Sequence, residues 1–137
     1  IDLGNWKEIW KFFKKKNSPH LTKKNTFYRP WGKYTNLFTG KGFLLKELVI
    51  NSNSSISLQK HFHRSERWIV NSGRPRITIN KKIFFKKLND SVLIPKGTIH
   101  RIENIYEDPV QIIEVQMGDI LKESDITRYK DIYGRVK

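Results

Sequence analysis

The chain has 137 residues, of which 37% are apolar and 12% aromatic, and carries a formal net charge of +14. These values indicate one globular domain with a modest core and exclude a wholly disordered chain. Cysteine is absent, no apolar run reaches the length of a membrane span, and no signal-peptide pattern occurs, which together predict a cytoplasmic protein without disulfides, thiolate metal sites or a membrane partner.

The positive charge is spread along the chain rather than gathered in one segment. Lysine runs occur at residues 14–16, 23–24, 81–82 and 86–87, between stretches of other composition. No RNA-binding aromatic signature, helix-turn-helix pattern or zinc-finger spacing accompanies them. We therefore expect no nucleic-acid partner, and we interpret the charge as a compositional bias of the whole chain.

The first 26 residues are predicted to form a helix and a linker. Asn5 is a suitable N-cap, and Glu8 three residues later can complete a capping box, so we expect a helix over residues 5–13. Residues 14–26 are polar, basic and contain Pro19, which is typical of a linker. The apolar face of the helix could pack on the domain or serve an interface, and it consists of Trp6, Ile9, Trp10 and Phe13.

From Phe27 onward the sequence predicts short strands. The candidates are rich in Val, Ile, Leu and Phe and are separated by Asn, Gly, Ser, Asp and Pro, which favours an all-β sandwich or barrel. A short C-terminal helix is expected over residues 124–129, with Ser124 as its cap. The predicted strands are residues 43–50, 56–63, 68–70, 76–79, 83–88, 91–94, 100–104 and 110–116.

Three of the four histidines lie in two short segments that predict a metal site. Gln59, His61 and His63 alternate along one predicted strand, so their side chains share a face. Glu66 follows closely, and His100 lies in the second segment. Imidazole and carboxylate ligands suit divalent zinc, manganese, iron, cobalt or nickel. The pattern predicts one divalent metal ion of undetermined identity.

These two segments resemble the two conserved motifs of the cupin superfamily. The second motif is a glycine, five residues, Pro-x-Gly-x-x-His, three residues and Asn. Pro95, Gly97, His100 and Asn104 match it, and Asn89 stands where its leading glycine is expected. The resemblance implies a cupin-type double-stranded β-helix, which is a jelly-roll barrel.

The first cupin motif, which contains His-x-His and a later Glu, can be aligned in two registers. If His61 and His63 fill the His-x-His positions, only two residues precede Glu66, which is too few. If Gln59 and His61 fill them, four residues precede Glu66 and six more lead to Gly73, which fits. We prefer the second register because spacing along a strand decides which side chains converge.

The preferred register has consequences for the ligand set and for two turns. In the other register His63 replaces Gln59 as a ligand. Asn53 and Asn89 take the places of the leading glycines, and Asn tolerates a positive φ better than most residues. The resemblance then implies four metal ligands, namely Gln59, His61, Glu66 and His100.

A closer resemblance extends along nearly the whole chain. It is to the type II mannose-6-phosphate isomerase domain, which in that family is the C-terminal part of a bifunctional enzyme with mannose-1-phosphate guanylyltransferase. It implies a division into residues 1–26, similar to the end of a guanylyltransferase domain, and residues 27–137, an isomerase-like cupin domain. The matching segments are residues 29–34, 58–68, 94–100, 113–118 and 133–135.

The resemblance implies an enzyme that interconverts mannose 6-phosphate and fructose 6-phosphate in polysaccharide precursor synthesis. Arg64 could bind phosphate or stabilise an enediolate. His63, if it is not a ligand, has a pKa suited to proton transfer. Glu114 and Gln116 alternate on one predicted strand and could both face the barrel interior, Glu114 as a further catalytic candidate.

Two alternatives stay open at this point. One is that the chain is a non-catalytic metal- or sugar-binding cupin, a remnant of the bifunctional enzyme. The other concerns assembly, since cupins commonly pair and a homodimer is therefore a candidate. The glycine-rich nucleotide-binding segment ending in Arg-Leu-Trp-Pro does not occur in the sequence, so the chain as given is not expected to make a nucleotide sugar.

Overall fold

The computed structural model describes residues 25–131, which form twelve β-strands. The strands are β1 Asn25–Arg29, β2 Gly32–Gly40, β3 Phe43–Ile50, β4 Ser54–Ser55, β5 Leu58–Lys60, β6 Arg64–Ser72, β7 Arg76–Ile79, β8 Lys82–Phe85, β9 Ser91–Ile94, β10 His100–Asn104, β11 Val110–Gly118 and β12 Thr127–Lys130. One antiparallel sheet has the order β1-β2-β3-β11-β6-β9, and the other has the order β12-β5-β10-β7-β8 with β4 paired to β10.

The two sheets bury a common apolar core between them. Burial alternates strictly along β3 and along β11, which places every second side chain in the interior. The core residues are Trp31, Tyr34, Leu48, Ile50, Ile56, Trp68, Val70, Ile77, Val92, Ile94, Ile102, Val110 and Ile112. The all-β double-sheet prediction is therefore confirmed.

Four of the predicted strands have the observed bounds, whereas the predicted strand 56–63 is interrupted. Its sheet pairing ends at Lys60. The next backbone groups bind a side chain instead, because the N–H groups of Phe62 and His63 donate to the Asp125 carboxylate at 3.1 and 2.9 Å. This turn removes His63 from the face that Gln59 presents.

The predicted C-terminal helix at 124–129 is wrong. The segment forms a turn, in which Asp125 N donates to the Lys122 carbonyl, followed by β12. Thr127 pairs with Lys60 and Arg128 with Gln59, so the sheet edge supplies hydrogen bonds that a short helix would have made internally. The prediction for residues 5–13 lies outside the described residues, as does nearly all of the predicted linker. Within residues 25–131, no helix is long and apolar enough to cross a bilayer.

Both asparagines that replace motif glycines have a positive φ. Asn53 has φ 51° and Asn89 has φ 73°, as the sequence predicted. Asn89 is exposed, and its backbone N–H donates to the Val70 carbonyl at 2.9 Å, so its role lies in the backbone rather than in packing. The motif thus keeps its two turns without its glycines.

Replacing Asn89 by alanine is expected to lower the free energy of unfolding by about 1–2 kcal/mol, because a Cβ without a local hydrogen-bonding group disfavours this φ. Asn89→Gly is the control and is expected to lose less than about 0.5 kcal/mol, since glycine adopts a positive φ freely. Urea unfolding measures both variants. Equal losses in the two would show that the asparagine side chain, rather than φ, stabilises the turn.

Candidate metal and substrate site

The barrel interior is apolar at one end and polar at the other. Along the paired strands β3 and β11, Leu48 faces Ile112 in the apolar half, whereas Lys46 faces Glu114 in the polar half. On the other side of β11, the buried Glu66 of β6 pairs with the buried Gln116. Because buried charges are costly unless paired or bound to a ligand, the polar half is the candidate site.

Three buried side chains converge there with metal-ligating atoms within 4.8 Å of one another, and they are His61, Glu66 and His100. His61 Nε2 lies 3.3 Å from Glu66 Oε1, and His100 Nε2 lies 3.0 Å from the same oxygen. Burial by itself raises the pKa of Glu66, but the two imidazoles outweigh it and hold that pKa well below its usual range. Glu66 is therefore a carboxylate.

The other ring nitrogens of both histidines contact backbone carbonyls. His61 Nδ1 lies 2.5 Å from the Asp125 carbonyl oxygen, and His100 Nδ1 lies 2.7 Å from that of Thr98. A carbonyl only accepts, so Nδ1 carries a proton in each ring, and Nε2, on the side of Glu66, is the ring atom available to ligate a cation. Among residues 25–131, Glu66 Oε1 and His100 Nε2 find no hydrogen-bond partner of good geometry. This donor set fits a divalent cation, and a carbonyl behind each imidazole is the usual support of a metal-bound histidine.

Arg64 places a buried guanidinium beside these groups. Its Nη2 lies 3.1 Å from His61 Nε2 and 3.8 Å from Glu66 Oε2, while Nη1 donates to the Lys122 carbonyl at 3.3 Å. The start of β6 is held close to the end of β11, since a Cβ at Gly118 would lie 2.1 Å from the His63 carbonyl oxygen. Arg64 therefore supplies a fixed positive charge next to the Glu66 carboxylate.

Glu114 is a second buried carboxyl group in the same wall. Trp68 Nε1 donates to its Oε2 at 2.9 Å, and Gln116 Nε2 donates to its Oε1 at 2.5 Å. Burial, with the charge of Glu66 as the next cause, raises the pKa of Glu114 to about 8. The interior position expected for Glu114 and Gln116 is confirmed, and Glu114 is largely protonated at neutral pH.

The structure separates the two residues that compete for the fourth ligand position. Gln59 lines the same cavity as His61 and Glu66, and its Oε1 accepts a hydrogen bond from Ser57 Oγ at 3.0 Å. The His63 side chain is exposed and is not part of the cavity wall. The structure thus places Gln59 in the cavity wall and the His63 side chain outside it, and Gln59 as the fourth ligand stays a prediction.

The cavity has a volume of about 70 Å³ and is lined by more charged groups than the sequence predicted. Lys46, Arg29, Arg128 and Glu123 were missed. A lysine at an inward-facing strand position would be the sequence signal for Lys46. Residues 43–50 are apolar on both faces of the strand, however, so the sequence alone does not show which face points inward. The charged lining residues are Arg29, Lys46, Arg64, Arg128, Glu66, Glu114 and Glu123.

The fold and its interior histidine–carboxylate cluster define a cupin. Solved structures with the same fold include the cupin domain of Schizosaccharomyces pombe Cnp3, with a TM-score of 0.60 and 20% identity over 64% of this chain and 61% of that one. A cupin-2 domain from Rhodospirillum rubrum has a TM-score of 0.64 and 14% identity over 76% of this chain and 79% of that one.

Within this class, the family described as mannose-6-phosphate isomerase C-terminal matches residues 16–131, and the chain belongs to it. Alginate biosynthesis protein AlgA of Pseudomonas putida is 44% identical over 79% of this chain and 22% of its own length. Xanthan biosynthesis protein XanB of Xanthomonas campestris is 38% identical over 94% and 28%. Mannose-1-phosphate guanylyltransferase ManC of Salmonella typhimurium is 40% identical over 80% and 23%. The chain thus spans about a quarter of each relative, and the predicted family is confirmed.

Proposed function

We propose that this domain interconverts mannose 6-phosphate and fructose 6-phosphate with the help of one divalent metal ion. The observation that carries the proposal is the convergence of two imidazole Nε2 atoms on the buried Glu66 carboxylate, inside a charged cavity, in a chain of this family. His61, Glu66 and His100 would hold the ion, with Gln59 from the cavity wall as the fourth ligand. A bound ion would polarise the sugar's carbonyl and hydroxyl oxygens.

The remaining polar groups suit the proton and charge movements of an aldose–ketose shift. A proton must leave C2 of mannose 6-phosphate and arrive at C1, while a hydroxyl proton moves from O2 to O1. Glu114 is the group in the cavity wall that we assign to the carbon proton, and the fraction that is ionised, given its raised pKa of about 8, acts as the base. Arg64 is placed to stabilise the negative oxygen of the intermediate enediolate. His63 stays an alternative proton carrier from the sequence, although its side chain is exposed.

The whole-protein context is also a proposal. The Salmonella relative is named a mannose-1-phosphate guanylyltransferase, and this chain matches 23% of it. We propose that residues 27–137 act beside such a transferase domain, with residues 1–26 as the connection. The homodimer stays a prediction.

A coupled assay for fructose 6-phosphate tests the function directly. After removal of metals with a chelator, the protein is expected to be inactive, and addition of Co²⁺, Mn²⁺ or Zn²⁺ is expected to restore turnover. Mannose without the phosphate is the control substrate. A folded, metal-loaded sample that gives no turnover would leave the non-catalytic cupin as the function.

Asp125 is expected to support metal binding without touching the metal. Its carboxylate accepts the backbone N–H groups of Phe62 and His63, and its carbonyl orients His61. Asp125→Ala should weaken metal affinity by about 10-fold, as outer-shell changes do. Asp90→Ala is the matched control, because Asp90 accepts the backbone N–H of Lys87 away from the site. Calorimetric titration with Co²⁺ measures both, and equal affinities would show that the turn does not position His61.

A further inference from the structure

We propose that Lys46 binds the phosphate group of the substrate and that Glu123 occupies this anion position in the free protein. The inference rests on the proposed function, because it assigns the phosphate end of the same cavity. Lys46, Glu123 and Glu66 all line that cavity, so one ligand can contact both the lysine and the histidine–carboxylate cluster.

Lys46 is a buried cation on a rigid element. It lies in the middle of β3, and its side chain is 4% exposed. The residue opposite it on the neighbouring strand β11 is Glu114. Its Nζ lies 2.5 Å from Glu123 Oε1 and 4.3 Å from the centre of the Tyr34 ring. A lysine buried to this extent needs a counter-charge, because desolvation of an unpaired ammonium is costly.

Glu123, the ion-pair partner of Lys46, is exposed enough to separate from the lysine. Glu123 lies between β11 and β12, outside the sheets, and its side chain is 57% exposed. Its carboxylate can therefore exchange the lysine for water at little cost, whereas Lys46 has no such alternative. A phosphate brings more oxygens and up to two negative charges to the same ammonium. Exchange of one anion for another keeps the buried lysine paired throughout.

The size of the cavity agrees with such a displacement. Its inner volume of about 70 Å³ is smaller than a hexose phosphate, so outward movement of a wall group would let more of the substrate enter. Glu123 is the carboxylate in the wall with the exposed side chain, since Glu66 and Glu114 are buried. Its movement would open the cavity at the position where Lys46 becomes available.

A second cation reinforces this end of the cavity. Arg29 Nη2 donates to Tyr34 Oη at 3.3 Å, and its guanidinium carbon lies 5.2 Å from the centre of the same ring that Lys46 contacts. Arg29 also lines the cavity. Tyr34 therefore contacts two cations that both line the cavity, and two positive charges suit a dianion better than a single carboxylate.

The test compares variants whose effects on phosphate affinity have opposite signs. In calorimetric titrations of the metal-loaded protein with inorganic phosphate, Lys46→Met is expected to weaken binding by at least about 10-fold, and Lys46→Arg to stay within about 3-fold. Glu123→Gln should tighten binding by about 3-fold or more, because the competing anion is gone. Lys86→Met, directly after the edge strand β8 and outside the cavity wall, controls for net charge. Thermal unfolding checks that each variant is folded.

A merely structural ion pair gives a different result. Unchanged affinity in a folded Lys46→Met, or weaker binding in Glu123→Gln, would overturn the proposal. The same variants separate it from the proposed function in kinetics with mannose 6-phosphate. Turnover with an unchanged KM in Lys46→Met would reject the phosphate position and keep the isomerase, whereas Lys46-dependent phosphate binding without wild-type turnover would keep the position and reject the isomerase.

Discussion

Replacement of Glu66 by glutamine is expected to abolish isomerisation and to weaken metal binding by more than about 100-fold, beyond the effect of outer-shell changes. The substitution keeps the side-chain volume but removes the charge that faces both imidazoles. It also leaves the buried Arg64 without its nearby carboxylate oxygen at 3.8 Å. Metal content by mass spectrometry and the coupled assay measure the two losses.

Glu103→Gln is the matched control for this experiment. Glu103 accepts hydrogen bonds from Arg76 outside the cavity, and the loss of this partly exposed pair is expected to cost at most about 1 kcal/mol. Its metal content and turnover should equal those of the wild type. Full metal occupancy in a folded Glu66→Gln protein would contradict the assignment of Glu66 as a ligand.

Glu114→Gln is expected to lower kcat by about 10²–10⁴-fold while metal content stays unchanged. The carboxyl group that we assign to proton transfer is lost, but the side-chain volume is retained. One of the two donors that contact Glu114, Trp68 Nε1 or Gln116 Nε2, would then face an amide NH₂, so a stability loss of about 1–3 kcal/mol is expected as well. Assays well below the unfolding temperature separate the two effects.

His63→Ala provides the comparison that decides between the proton carriers. Its side chain is exposed and outside the cavity wall, so kcat is expected to fall by less than about 5-fold if Glu114 moves the proton. The reverse pattern, a large loss in His63→Ala and a small one in Glu114→Gln, would assign proton transfer to His63.

Motif spacing was the most informative part of the sequence. Counting from Glu66 selected the register in which Gln59 and His61 share the site, and the structure places both in the cavity wall and leaves His63 outside. The positive φ values of Asn53 and Asn89 also followed from their motif positions, since a turn constrains the backbone whichever residue occupies it.

The groups that the sequence did not reveal depend on tertiary contacts. Asp125 supports the site through its carboxylate and its backbone carbonyl, and it lies 62 residues further along the chain than His63, so no local pattern predicts such a contact. The strand at Thr127–Lys130 exists because the edge of β5 is available to it. The inward position of Lys46 could not be predicted without knowing which face of β3 points into the barrel, and only the pairing of β3 with β11 establishes that face.

Anomalous diffraction from crystals of the Mn²⁺-loaded protein tests the central claim most directly. We predict one interior peak within about 2.0–2.3 Å of His61 Nε2, Glu66 Oε1 and His100 Nε2, with Gln59 as a further ligand. The Arg64 guanidinium should then no longer lie 3.1 Å from His61 Nε2, because that lone pair is taken. Mn²⁺ found only at surface groups such as His63, with Arg64 still bonded to His61, would contradict the account.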